Sequence, residues 1–147
     1  MNEFERKQLL ERIEREGATV GSAIPETITV QGDPVDLRAF VFEVRRRKSV
    51  PERDKERVQQ AKKNLRRERL QRKQRIETGE LSREEGEQLA ESIVGIDRAL
   101  NALEQLGVSD VESEAERAKA ADQKRWSNFL RQVLGRDDSG PRMGMGR

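Results

Sequence analysis

Histidine, cysteine and tyrosine are all absent from the 147 residues. Without them the chain has no imidazole base, no thiolate nucleophile and none of the usual ligands for zinc or haem iron. No disulfide can form, which fits a reducing compartment. Aromatic residues are scarce: Phe4, Phe40, Phe42, Trp126 and Phe129 complete the set. Base-stacking surfaces of the RRM or OB kind need more than these. The longest aliphatic or aromatic run is residues 39–42, far short of a membrane span or a signal-peptide core. These absences predict a soluble cytoplasmic protein with no membrane association.

Charge is what the sequence has in abundance. Charged residues make up 39% and hydrophobic ones 33%, close to the composition at which a chain cannot bury enough apolar surface to offset its ordering entropy. The length suits one modest core, and order then depends on efficient amphipathic packing. The net charge of +2 conceals segregation. Residues 45–75 hold fifteen Lys or Arg against four acids, a balance of +11, whereas residues 80–116 hold eleven acids against Arg83 and Arg98, a balance of −9. A positive block is followed by a negative one.

Periodicity divides the chain into elements. Phe4, Leu9, Leu10 and Ile13 recur among charges before Gly17, predicting a short helix over residues 2–16. Ile28 and Val30 alternate with Thr27 and Thr29, and Gln31-Gly32-Asp33-Pro34 supplies turn residues before Val35 and Leu37, the pattern of a small β-hairpin. A competing reading starts a helix at Asp33 with Pro34 in its first turn. In both readings residues 37–47 are helical, with Leu37, Phe40, Val41 and Val44 on one face. Pro51 is expected to open a long charged helix reaching about Glu77, with a turn at residues 78–81. Ser82 and Glu85 have capping-box spacing, and Leu89, Ile93, Ile96, Leu100 and Leu103 then form one stripe, ended by Gly107. Ser109 and Glu112 repeat the spacing, and a last helix reaches Leu134. The expected fold is mainly α: a long antiparallel helical hairpin plus shorter helices, with a small β-hairpin near the N-terminal region. Residues 1–135 read as a single helical domain and 136–147, Gly-rich and without apolar period, as a disordered tail.

The densest functional signal lies in "AKKNLRRERLQRKQRIETG", residues 61–79. Between Lys62 and Arg75, Lys62, Lys63, Arg66, Arg67, Arg69, Arg72, Lys73 and Arg75 stand against Glu68 alone, leaving Val58, Ala61 and Leu65 as a thin apolar seam. Such a strip neutralises phosphates and releases counterions, and a preference for Arg, 22 of the 30 basic residues, suits bidentate phosphate contacts. It reads no base sequence by itself. Arg45, Arg46, Arg47 and Lys48 form a second basic patch. The competing interpretation is structural: in a hairpin turning at Gly79, residues 62–75 lie beside 83–96, where Glu84, Glu85, Glu87 and Glu91 are placed to pair with them. Exposed pairs of that kind contribute about 0.2–1 kcal/mol each.

Other constellations point elsewhere. Trp126, Phe129, Leu130 and Val133 at helical spacing read as core, docking onto Phe40, Phe42 or the hairpin; if exposed, they mark a partner site. Glu84, Glu87 and Glu91 share a helical face but, lacking a carboxylate cage, read as solvated. No phosphate loop follows Gly17 or precedes Gly144. No metal, cofactor or catalytic residue is expected, and the chain reads as a non-enzymatic RNA- or ribosome-associated binding protein. The alternative is a protein–protein adaptor or coiled-coil-like homo-oligomer in which basic and acidic blocks pair between subunits, with no nucleic-acid role.

The segments "ERKQLLERIEREGATVG", "IPETITVQGDPVDLRAFVFEV", "AKKNLRRERLQRKQRIETGELSREEGEQL" and "SIVGIDRALNALEQLG" together resemble a family of small proteins of unknown function from halophilic archaea, over residues 3–135. The resemblance brings no catalytic residues. It implies a salt-filled cytoplasm in which most proteins carry a large acidic excess, so that a near-neutral member with an arginine-dense helix resembles one specialised for a polyanion. At molar salt the Debye length is about 3 Å, and only close-fitting phosphate contacts survive.

Overall fold

A computed structural model describes residues 1–17, 24–47, 49–109 and 120–139, apart from the side chains at 108–109, 120–121 and 135–139. Helix α1 spans Glu3–Gly17, strands β1 and β2 span Ile28–Val30 and Asp33–Val35, and α2 spans Leu37–Arg46. Strand β3 (Ser49–Pro51) and a 3-10 turn (Glu52–Asp54) lead into α3 (Lys55–Thr78); α4 (Arg83–Glu104), β4 (Gly107–Ser109) and α5 (Ala120–Ser139) follow. The architecture is mainly α, as the periodicity predicts.

Helices α3 and α4 form the long antiparallel hairpin. Its turn is fixed by the capping box: Ser82 Oγ accepts the Glu85 N–H at 3.1 Å, and the Glu85 carboxylate accepts the Ser82 N–H at 2.9 Å. Helix α1 lies along the start of α4, tied by the Met1 ammonium on the Leu81 carbonyl at 2.9 Å. Leu9 and Ile13 pack there against Ile76, Leu89, Ala90 and Ile93. Arg6 donates to the Ile76 and Gly79 carbonyls, satisfying backbone that the end of α3 leaves open.

The β-hairpin forms where expected, with Ile28 opposite Val35 and Val30 opposite Asp33. Gln31 (φ 49°) and Gly32 (φ 90°) are both left-handed, as a two-residue type I′ turn requires. Such a conformation is costly for Gln31. Its N–H and side-chain amide both donate to Glu68 Oε1 at 2.9 Å, which holds it in place and anchors the turn on α3. Pro34 therefore lies in β2, and the reading that started a helix at Asp33 is overturned.

The larger core joins four helices. α3 packs on α4 and α5, and α4 also packs on α2. α2 closes the circuit on α5 through Phe40 and Phe129, whose ring centroids are 6.3 Å apart, and through Glu43 with Arg125. Trp126, Leu130 and Val133 are buried in this core as expected, and Phe129 lies at its margin. The cluster docks on Phe40; Phe42 points outward instead. Trp126 Nε1 donates to the buried Asp54 carboxylate at 3.1 Å, and the Arg47 guanidinium lies 4.8 Å from the ring centroid. Asn64, also buried, donates to the Val133 carbonyl at 2.9 Å and so pins α5 on α3.

Three boundaries differ from the sequence reading. Pro51 does not open α3; it ends β3, which pairs in parallel with β4 (Val50 opposite Val108), and the helix begins only after the 3-10 turn. Gly107 begins a strand rather than merely ending α4. α5 runs to Ser139, beyond Leu134. Ser109 lies in β4, while Glu112 and residues 140–147 fall outside the described residues.

Candidate nucleic-acid interface

Helix α3 sorts its cations by angle. Its buried side carries Val58, Ala61, Leu65 and Ile76, with Lys62 and Asn64 drawn in at the margins. At about 100° per residue, Lys63, Arg67, Leu70 and Gln74 fall on the opposite side, flanked by Arg66 and Lys73. Leu70 is 54% exposed at the centre of that face. Glu56 and Glu77 bound it at either end.

Half of the eight predicted phosphate contacts are engaged within the chain. Lys62 is only 8% exposed and its ammonium lies 3.8 Å from Glu104. Arg66 reaches the same carboxylate at 2.9 Å, but both side chains are half exposed, so this pair exchanges readily with solvent or ligand. Arg69 pairs with Asp97 at 2.7 Å. Arg72 is a structural clamp: it pairs with Glu68 at 2.9 Å, donates to Ser92 Oγ at 2.8 Å and to the Thr29 carbonyl, and so locks the β-hairpin, α3 and α4 together. Lys63, Arg67, Lys73 and Arg75 have no side-chain hydrogen bond or ion pair among the described residues. Arg75 does contribute, more weakly than the Ser82 cap, to holding the Glu85 carboxyl below its ordinary value.

The acids that do this pairing are not those the sequence pointed to. Glu104 and Asp97 face α3, whereas Glu85 caps its own helix, Glu87 pairs with Arg83 at 3.1 Å, and Glu91 approaches Arg12 of α1 at 4.0 Å. Residues 79–82 are spent in the turn, so Arg69 lies beside Asp97 rather than beside Glu91, and the acidic start of α4 faces α1. Among the described residues no group of three or more Asp or Glu is placed to hold a metal ion.

The second basic patch does not form a strip. Arg45 is exposed and has no side-chain partner among the described residues. Arg46 bonds Glu43 at 3.0 Å and remains half exposed. Arg47 is withdrawn from the surface, held between Glu43 at 3.1 Å and Asp122 at 2.9 Å. Lys48 lies outside the described residues. Glu43, missed by the sequence reading because nothing in a charged helix marks one acid as buried, is 4% exposed and accepts from Arg46, Arg47 and Arg125. Burial pushes its carboxyl upward, but the three guanidinium groups outweigh this and hold it below its ordinary 4.5.

A depressed folded-state value contributes stability that is fully present above the unfolded value and is lost as pH falls through the folded one. The urea midpoint of the wild type is therefore expected to be flat above about pH 4.5 as far as Glu43 is concerned, and to fall below it. Glu43→Gln is expected to lower the midpoint at neutral pH and to converge on the wild type in acid. Parallel curves for the two proteins would assign the acid loss to other carboxylates.

Residues 1–131 match a family of unknown function, DUF5788. No curated protein and no solved structure matches the chain.

Proposed function

The chain belongs to the DUF5788 family of unknown function, and we propose that its role is to bind a polyanion without catalysis, structured RNA or a ribosomal RNA surface being the ligand. The observation that carries this reading is the division of labour on α3. Lys63 and Arg67 stay exposed and uncompensated on the outer side, and Lys73, half-buried at its edge, also has no internal partner among the described residues, while Arg69, Arg72 and Lys62 are spent on the fold. From Lys63 to Lys73 the rise along the helix is about 15 Å, long enough to follow several phosphates of one strand. Arg66 joins them on leaving Glu104, and Arg75 extends the line. In a salt-filled haloarchaeal cytoplasm, which the family resemblance implies, only such close guanidinium–phosphate contacts keep their strength.

Lys63→Glu, Arg67→Glu and Lys73→Glu together remove no internal partner, so the fold is expected to survive, as circular dichroism will show. Affinity for a labelled RNA duplex, read by fluorescence anisotropy, is expected to fall about ten- to a hundredfold at low salt, and the slope of log affinity against log salt to drop by about three. Unchanged affinity and slope would end this reading.

A second reading, the protein adaptor or homo-oligomer, is favoured by one observation. Glu84 and Glu91 near the start of α4 are exposed and not used by α3, although Glu91 lies 4.0 Å from Arg12, and Glu11 and Glu14 of α1 are exposed as well. A second copy presenting its α3 would complement them. Light scattering decides: a strict monomer at working concentration removes it.

A further inference from the structure

Helix α2 buries one side and leaves the other without a carboxylate. Leu37, Phe40, Val41 and Val44 are buried, and Glu43, the acid of this helix, is turned inward and consumed by three arginines. What remains outside is Arg38, Ala39, Phe42, Arg45 and Arg46. Phe42 is 68% exposed in the middle of them. Helical spacing puts Arg38 one turn before it and Arg45 and Arg46 one turn after. Arg38 is fixed by bonds from Nε and Nη2 to the Ile24 carbonyl at 3.0 and 2.8 Å, so its charge is held at the start of the helix. Ala39 is small, which leaves the ring face open beside it. In a chain with five aromatic residues, an uncovered Phe bordered by guanidinium groups combines the two groups that grip single-stranded nucleic acid: a stacking face and phosphate donors.

We propose that this face is a second RNA contact, at which Phe42 stacks on an unpaired nucleobase while Arg45 and Arg46 hold the neighbouring phosphates. One molecule then holds a paired segment on α3 and an unpaired one on α2. The inference extends the polyanion reading of α3, but its site shares no residue with that face and is tested apart from it.

The test uses the full chain carrying the three α3 charge reversals, with a short unstructured oligouridine as probe. This variant is expected to keep its affinity for the single strand. Adding Phe42→Ala is expected to weaken it about tenfold, Phe42→Leu to weaken it nearly as much, and Phe42→Trp to preserve or improve it. Arg45→Glu is expected to weaken it and to reduce the salt slope. A leucine as good as phenylalanine, or an alanine without effect, overturns the proposal. Phe42-dependent capture by anionic lipid vesicles in place of oligouridine overturns it in favour of a membrane surface. If the α3 reversals leave duplex affinity untouched while Phe42 controls single-strand binding, the α3 reading alone falls. If duplex binding depends on α3 and Phe42 is silent, this inference alone falls.

Discussion

Trp126→Ala is expected to lower stability by about 3–5 kcal/mol, a large part of what a domain of this size commands. The indole is fully buried between α2, α3 and α5 and is the largest side chain of the core. Its removal opens a cavity in a chain with little apolar surface to collapse into it. Two charged groups also lose their partner: Asp54 keeps Arg57 at 3.8 Å but no longer receives the indole N–H, and Arg47 loses the ring beneath its guanidinium. Trp126→Phe separates these effects. It fills much of the cavity but leaves the Asp54 carboxylate short of a donor, for an expected loss of about 1–3 kcal/mol. Urea unfolding followed by far-ultraviolet circular dichroism measures both variants. In the wild type the indole, the only one in a chain without tyrosine, also reports the transition by fluorescence. Equal losses for Ala and Phe would show that the Asp54 bond, and not the volume, dominates.

The same contacts show why the fold was readable and the site only half so. Long periodic signals survive translation into structure: the Leu89, Ile93, Ile96 and Leu103 stripe is buried, and the Ser82–Glu85 box closes as its spacing predicts. Short pairings do not. Ser49–Pro51 and Gly107–Ser109 are three residues each, too few to carry a period, and they meet only because the helices between them bring their ends together. Charge is legible in amount and illegible in partner. The sequence states that α3 is basic, but a shift of about two helical turns in hairpin register decides whether Glu91 or Asp97 faces Arg69. That shift also decides which cations are left for a ligand. Buried charges such as Glu43 and Arg98, the latter donating to the Glu16 carbonyl at the end of α1, look in sequence like any surface residue. What completes their pairing comes from distant elements, Arg125 of α5 for Glu43 and the end of α1 for Arg98.

Gly95→Val is expected to cost about 3 kcal/mol, whereas Gly86→Ala, in the same helix, is expected to be nearly neutral. Neither glycine marks a turn, and nothing in the sequence distinguishes them. A Cβ on Gly95 would sit 2.8 Å from both Leu37 Cδ2 and Pro25 Cδ. The proline ring is rigid and Leu37 is fully buried, so neither has room to retreat. The cost therefore falls on the seating of α2 and the approach to the β-hairpin, and it grows with each methyl group, alanine being milder than valine. A Cβ on Gly86 would meet Leu9 Cδ1 at 2.8 Å and the Met1 sulfur at 3.0 Å, both at the free ends of flexible side chains. They swing aside at small cost, and the gain from replacing a helical glycine by alanine, at most about 1 kcal/mol, offsets it. Urea midpoints of the Ala and Val series at both positions measure the contrast. An equal penalty at the two sites would mean that α1 is seated on α4 as rigidly as α2 is, despite meeting it through side-chain tips.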